Sequence, residues 1–86
     1  MRLDKFLQVS RIVKRRTLAQ RLCDAGKVTL NGVRAKSAAA AKIGDMIGVD
    51  FGPRTLVVRV TRVPEGRASP EPVFEVVEDR RTAEAW

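Results

Sequence analysis

The segment Arg11-Ile12-Val13-Lys14-Arg15-Arg16-Thr17 is the densest charge cluster in the chain. Guanidinium and ammonium groups packed this closely bind phosphate. The cluster lies just before and at the start of a predicted helix, where the helix dipole favours anions. Each misplaced cation costs about a few tenths of a kcal/mol. Sequence that works against local stability points to a requirement elsewhere. A phosphate backbone meets it, since it neutralises the cations and accepts the free N–H groups of the helix start. Further cations extend the pattern. Arg2 and Lys5 are three residues apart and share a helical face. Lys27, Arg34 and Lys36 fall on a predicted hairpin.

Other chemistries lack their residues. The chain has no His and one Cys, Cys23. That excludes Ser–His and Cys–His nucleophile pairs and disfavours a zinc site. A single cysteine forms no internal disulfide, and Cys23 reads as a semi-buried structural thiol. Asp4, Asp24, Asp45 and Asp50 are scattered, so no acid–base pair is expected. The glycines read as turn or strand residues, not as a phosphate-cradling loop. No catalytic residue, metal or cofactor is therefore expected. No apolar run approaches the roughly 20 residues of a membrane helix, and with Met1-Arg2-Leu3-Asp4 at the start no signal peptide is expected.

Net charge over the 86 residues is +7, unevenly placed. Residues 1–36 carry +8, residues 37–63 carry +2 and residues 64–86 carry −3. The chain is a basic head with an acidic end, which calls for a polyanionic partner. Phe6, Phe51 and Phe74 sit in apolar periods and read as core; Trp86 stands alone at the terminus. None has the spacing of a base-stacking platform. The expected mode is recognition of folded RNA by shape and phosphate rather than by aromatic stacking.

The elements that must position these groups follow from periodicity. Leu3, Phe6 and Leu7 have i, i+3, i+4 spacing and predict a short first helix, with Asp4 suited to its positive end. A second helix is predicted from Arg16 to Ala25, with Leu18, Leu22 and Ala25 on its apolar side and Arg16 and Gln20 on the far side. Gly26 ends it. From Lys27 the pattern changes to period two, and Asn31-Gly32 is a hairpin signal because its turn needs positive φ twice. Residues 37–42 (SAAAAK) fit a loop or a helical turn. Strands are predicted over Met46 to Phe51, Leu56 to Val63 and Val73 to Val77. A loop is expected over Pro64 to Pro72, and a charged tail over Glu78 to Trp86.

Together, Arg2-Leu3-Asp4-Lys5-Phe6-Leu7, Arg16 with Ala19 and Leu22, Gly26-Lys27-Val28-Thr29-Leu30-Asn31-Gly32, and Gly44-Asp45 before a strand resemble the S4 RNA-binding domain. The resemblance spans residues 1–63, with residues 64–86 expected to belong to the same domain. It implies an α+β fold of the αL type, two N-terminal helices packed on a small, mostly antiparallel sheet. The opening MRLDKFLQVSRIVKRRTLAQ is closer still to the bacterial family of RQC P-site tRNA stabilizing factors. Most S4 domains place a capping Ser before the Arg16 equivalent. Here, as in that family, the residue is Arg15, which forgoes a cap worth about 1 kcal/mol.

That resemblance implies a cytoplasmic, ribosome-associated protein of quality control. It would bind large-subunit rRNA and peptidyl-tRNA on obstructed subunits, while a partner protein extends the nascent chain with alanine. No membrane contact is implied, and a monomer is expected. Arg2 and Arg16 match the family's principal RNA-contacting arginines. Lys5, Arg11, Lys14, Arg15 and Thr17 match supporting positions, and Gln20 and Arg34 are placed on the same face by inference. The alternatives are a heat-shock S4 protein, which usually has a longer basic extension, the S4 module of an RNA-modifying enzyme, and a nonspecific basic protein for DNA or acidic membranes.

Overall fold

The computed structural model describes residues 1–64 and 72–81. Its elements are α1 (Leu3–Val9), α2 (Arg16–Asp24), β1 (Val28–Leu30), β2 (Val33–Arg34), β3 (Met46–Asp50), β4 (Arg54–Val60) and β5 (Phe74–Arg81). The strands form one antiparallel sheet in the order β2-β1-β3-β4-β5. Alternation puts Val28, Ile47, Val49, Leu56, Val58 and Val60 on one sheet face. Leu3, Phe6 and Leu7 of α1 and Ala19 and Cys23 of α2 join them in one buried core. Among the described residues no helix is long and apolar enough to cross a membrane.

The hairpin forms as its sequence requires. Asn31 and Gly32 adopt φ of 53° and 84°, the paired left-handed conformations of the expected turn. The Asn31 side chain also accepts from the Met46 N–H at 2.9 Å and donates to Asp45 at 3.2 Å, tying the turn to the start of β3. Residues 37–42 are a loop, not a helical turn. They run beside the N-terminus: Leu3 N–H donates to Ala39 O (2.7 Å), Asp4 N–H to Ser37 O (3.2 Å) and Ala41 N–H to Met1 O (2.8 Å). This strap joins the hairpin to the start of α1.

Three expectations are corrected. First, the buried stripe of α2 is Ala19 and Cys23, with Leu22 half-buried; Leu18 is 44% exposed and Ala25 is exposed. The helix is rolled so that Arg16 and Gln20, one turn apart, border the core instead of facing away from it. Second, β4 starts at Arg54 and ends at Val60, earlier at both ends than its β-branched run suggests. Thr61 and Arg62 leave the ladder, both donating to Val73 O. Third, the last strand does not stop at Val77. It continues through Glu78 to Arg81, paired with Val57 through Arg54, with a bulge at Val57/Val58. The cross-strand Arg54–Asp79 pair holds this exposed part, so no apolar period marks it. Trp86 and the greater part of the expected 64–72 loop lie outside the described residues.

Candidate nucleic-acid interface

Asp4 is the organising residue of the basic face. It sits in the first turn of α1 and is fully buried. A bare carboxylate there would be prohibitive unless paired and hydrogen-bonded. Four groups converge on it. The Lys5 N–H donates to Oδ1 at 2.7 Å. Gln20 Nε2 donates to Oδ2 at 2.9 Å. Arg2 makes two longer contacts, at 3.3 and 3.4 Å. Arg16 Nε lies 3.3 Å from Oδ2, an ion pair by distance whose N–H is not aligned as a hydrogen bond. Burial pushes the Asp4 carboxyl up, but Gln20, Arg16, Arg2 and the Lys5 N–H together pull it down, and the net result lies below its ordinary value.

One buried carboxylate thus holds two arginines from different elements. Arg2 precedes α1 and Arg16 opens α2, and their side chains remain 50% and 41% exposed. Arg16 Nε is buried against the carboxylate, while each side chain as a whole stays partly open to solvent. The roll of α2 is explained by the same site: with Arg16 and Gln20 turned away, Asp4 would be buried without two of its partners.

The loop between the helices displays the cations of the densest cluster. Val13, 2% exposed, pins it to the core, and its N–H donates to Leu7 O at 3.0 Å. Arg11, Lys14 and Arg15 are exposed around that pin. Arg11 closes α1 with φ of 64°, a position that favours Gly or Asn. Arg15 is the N-cap of α2 and makes no side-chain cap bond. Thr17 is exposed beside it. Lys5 is half-buried on α1, and Lys36 and Arg34 flank the strap that begins at Ser37.

Lys27 does not join this group by any contact: its ammonium lies 3.8 Å from Asp50 at the end of β3. Cys23 is buried more completely than expected, at 6% exposure. Burial, with Asp4 and Asp24 nearby, pushes its thiol up and leaves it a poor nucleophile.

Charge pairing separates the two ends of the molecule. On the sheet, Arg54 pairs with Asp79 at 2.9 Å, Arg59 with Glu75, and Arg80 with Glu78 at 2.7 Å. Arg54 holds Asp79 below its ordinary value. On the helices and their loop Lys5, Arg11, Lys14 and Arg15, and at the hairpin Arg34 and Lys36, have no ion pair among the described residues. The acids of β5 therefore pair the arginines of β4, and the unpaired cations named above lie along the helices, their connecting loop, the end of β2 and the start of the strap.

Comparison with known proteins gives concordant matches. The sequence model of the S4 domain matches residues 1–47. A relative from Halalkalibacterium halodurans named RQC P-site tRNA stabilizing factor is 49% identical over 65 residues, covering 76% of this chain and 74% of the relative. One of the same name from Streptococcus pneumoniae is 37% identical over 86 residues, covering 98% of each chain. Among solved structures, the trimeric heat shock protein 15 of Vibrio cholerae is similar with a TM-score of 0.80 and 32% identity, covering 88% of this chain and 80% of that one.

Proposed function

Since the chain belongs to the S4 domain family and, within it, to the RQC P-site tRNA stabilizing factors, we propose that its helical face is an RNA clamp that steadies peptidyl-tRNA on obstructed large ribosomal subunits. A ribosome-associated RNA-binding role follows from that membership. The finer reading is that cations on one rigid face bridge large-subunit rRNA and P-site tRNA while a partner protein adds alanine to the nascent chain. The clamp is a binding device with no catalytic step.

The observation that supports this reading best is the segregation of paired from unpaired cations. A polyanion meets paired charge on β4 and unpaired charge along the helices, their loop and the hairpin. Arg2 and Arg16, held by Asp4, offer forked donors matched to phosphate. Lys5, Arg11, Lys14, Arg15, Thr17, Gln20, Arg34 and Lys36 surround them as supporting positions. Lys27, engaged with Asp50, stands at the margin.

The test is affinity for large subunits carrying tRNA, measured over a salt series. Arg16→Ala and Lys14→Ala are each expected to weaken binding and to shallow its salt slope by roughly 1. Lys14 is exposed without a partner among the described residues, so its substitution reports binding with little effect on folding. Unchanged affinity and slope in both variants would refute this face. The likeness to heat shock protein 15 supplies a second reading, recycling of stalled subunits. It predicts that loss of this chain leaves alanine addition intact.

A further inference from the structure

A groove of about 570 Å³ lies between the C-terminal end of α2 and the residues that follow β2. Residues 23–26 form one wall and residues 34–38 the other. Its size falls within the roughly 300–1,000 Å³ of small-ligand clefts. A second, more apolar depression adjoins it and shares Arg34, Ala35, Lys36 and Ala38.

Arg34 has a distinctive posture in this groove. A Cβ placed on Gly26 would lie 3.3 Å from Arg34 Cζ, 3.3 Å from Nε and 3.4 Å from Nη1. Three nearly equal distances put that point over the face of the guanidinium, not beyond its edge. The absence of a side chain at Gly26, whose φ is +74°, lets the plane lie flat against the backbone. Arg34 is exposed and has no ion pair or side-chain hydrogen bond among the described residues. A flat, unpaired guanidinium backed by a glycine and bordered by alanines is a stacking surface for a nucleobase.

Resting on the RNA-binding reading above, we propose that this groove takes one unpaired RNA nucleotide, its base stacked on the Arg34 guanidinium. Charge fixes the orientation. Lys36, exposed and unpartnered among the described residues, receives the phosphate. Asp24 on the opposite wall repels phosphate and accepts from base amino groups, so the base points towards α2. The strap places this site next to the arginine pair, because Ser37 lines the groove and its carbonyl accepts from the Asp4 N–H. An RNA helix held by Arg2 and Arg16 would present a bulged or looped nucleotide here. Arginine supplies the plane that the few aromatic residues do not.

Fluorescence anisotropy with two short RNA stem-loops tests the proposal, one fully paired and one carrying a single bulged nucleotide. The wild type is expected to favour the bulged RNA by at least about fivefold. Arg34→Lys keeps the charge but removes the plane. Ala38→Leu fills the groove from an exposed position. Both are expected to bring the ratio to about one, and Ala38→Leu, outside the cationic face, is expected to hold paired-stem affinity within about twofold. Equal wild-type affinity for the two RNAs, or an unchanged ratio in both variants, overturns the proposal and leaves the RNA reading standing. Failure of the wild type to bind either RNA refutes both. Competition by a free nucleoside monophosphate as effective as the bulged RNA also overturns it, by making the groove a site for free nucleotides.

Discussion

Replacing Asp4 by Asn keeps the size and shape of the side chain and removes its charge. The amide offers one acceptor where the carboxylate offers two, and turns an NH₂ towards the groups that now donate to it. The Lys5 and Gln20 bonds, at 2.7 and 2.9 Å, compete for the remaining oxygen, and the contacts of Arg2 and Arg16 at 3.3 Å lose their counter-charge. Hydrogen bonds to charged groups are worth about 1.5–3 kcal/mol each. Arg2 and Arg16 are 50% and 41% exposed, so they regain water when released, and the sum must be discounted. A loss of about 2–3 kcal/mol remains. A domain of this size has about 4–13 kcal/mol in total, so the thermal midpoint falls by about 10–20 °C. The pH dependence identifies the cause. The folded Asp4 pKa lies below the unfolded one. Its stabilisation is therefore complete above the unfolded value, about 4, and disappears as pH falls through the folded value. Urea unfolding of both proteins across pH isolates Asp4, because every other carboxylate cancels in the difference. The gap should be constant above about pH 5 and shrink below about pH 4. A gap under about 0.5 kcal/mol at neutral pH, or one that does not close in acid, would refute the assignment of Asp4 as the anchor.

Arg11→Gly removes a left-handed Arg at φ 64° and is expected to stabilise the fold by about 0.5–1 kcal/mol, while RNA affinity falls; calorimetry and a salt titration measure the two effects. Asn31→Ala strains φ 53° and deletes the bonds to Met46 and Asp45; urea denaturation should register a loss of about 1–2 kcal/mol. The double variant Glu75→Gln, Asp79→Asn frees Arg59 and Arg54 on the sheet. Its RNA binding at low salt should tighten and its salt slope steepen, and an unchanged slope would show that β5 does not shield the sheet.

What was legible in the sequence had local causes. Asn31-Gly32 admits the turn it makes because both positions tolerate positive φ, and Gly26 ends α2 for the same reason. The short period of Leu3, Phe6 and Leu7 is buried as a unit because helical spacing puts them on one side. The concentration of cations in residues 1–36 is a property of the chain itself, as is the motif that relates it to the S4 domain.

Tertiary structure decided what depends on a distant partner. The apolar side of α2 cannot be chosen from its own residues, because Leu18 and Leu22 outweigh Ala19 and Cys23 in hydrophobicity. Asp4 decides it from α1: a buried charge that needs Arg16 and Gln20 costs more than an exposed Leu18. No local signal distinguishes Asp4 from any acid in a first helical turn. The same holds for Glu78 to Arg81, whose charges read as tail until Arg54 stands across from Asp79. Sequence fixes how much charge the chain carries and where along it. Only the fold determines which charges are cancelled, because neutralisation requires the opposite charge within a few ångströms, and that proximity is set by packing.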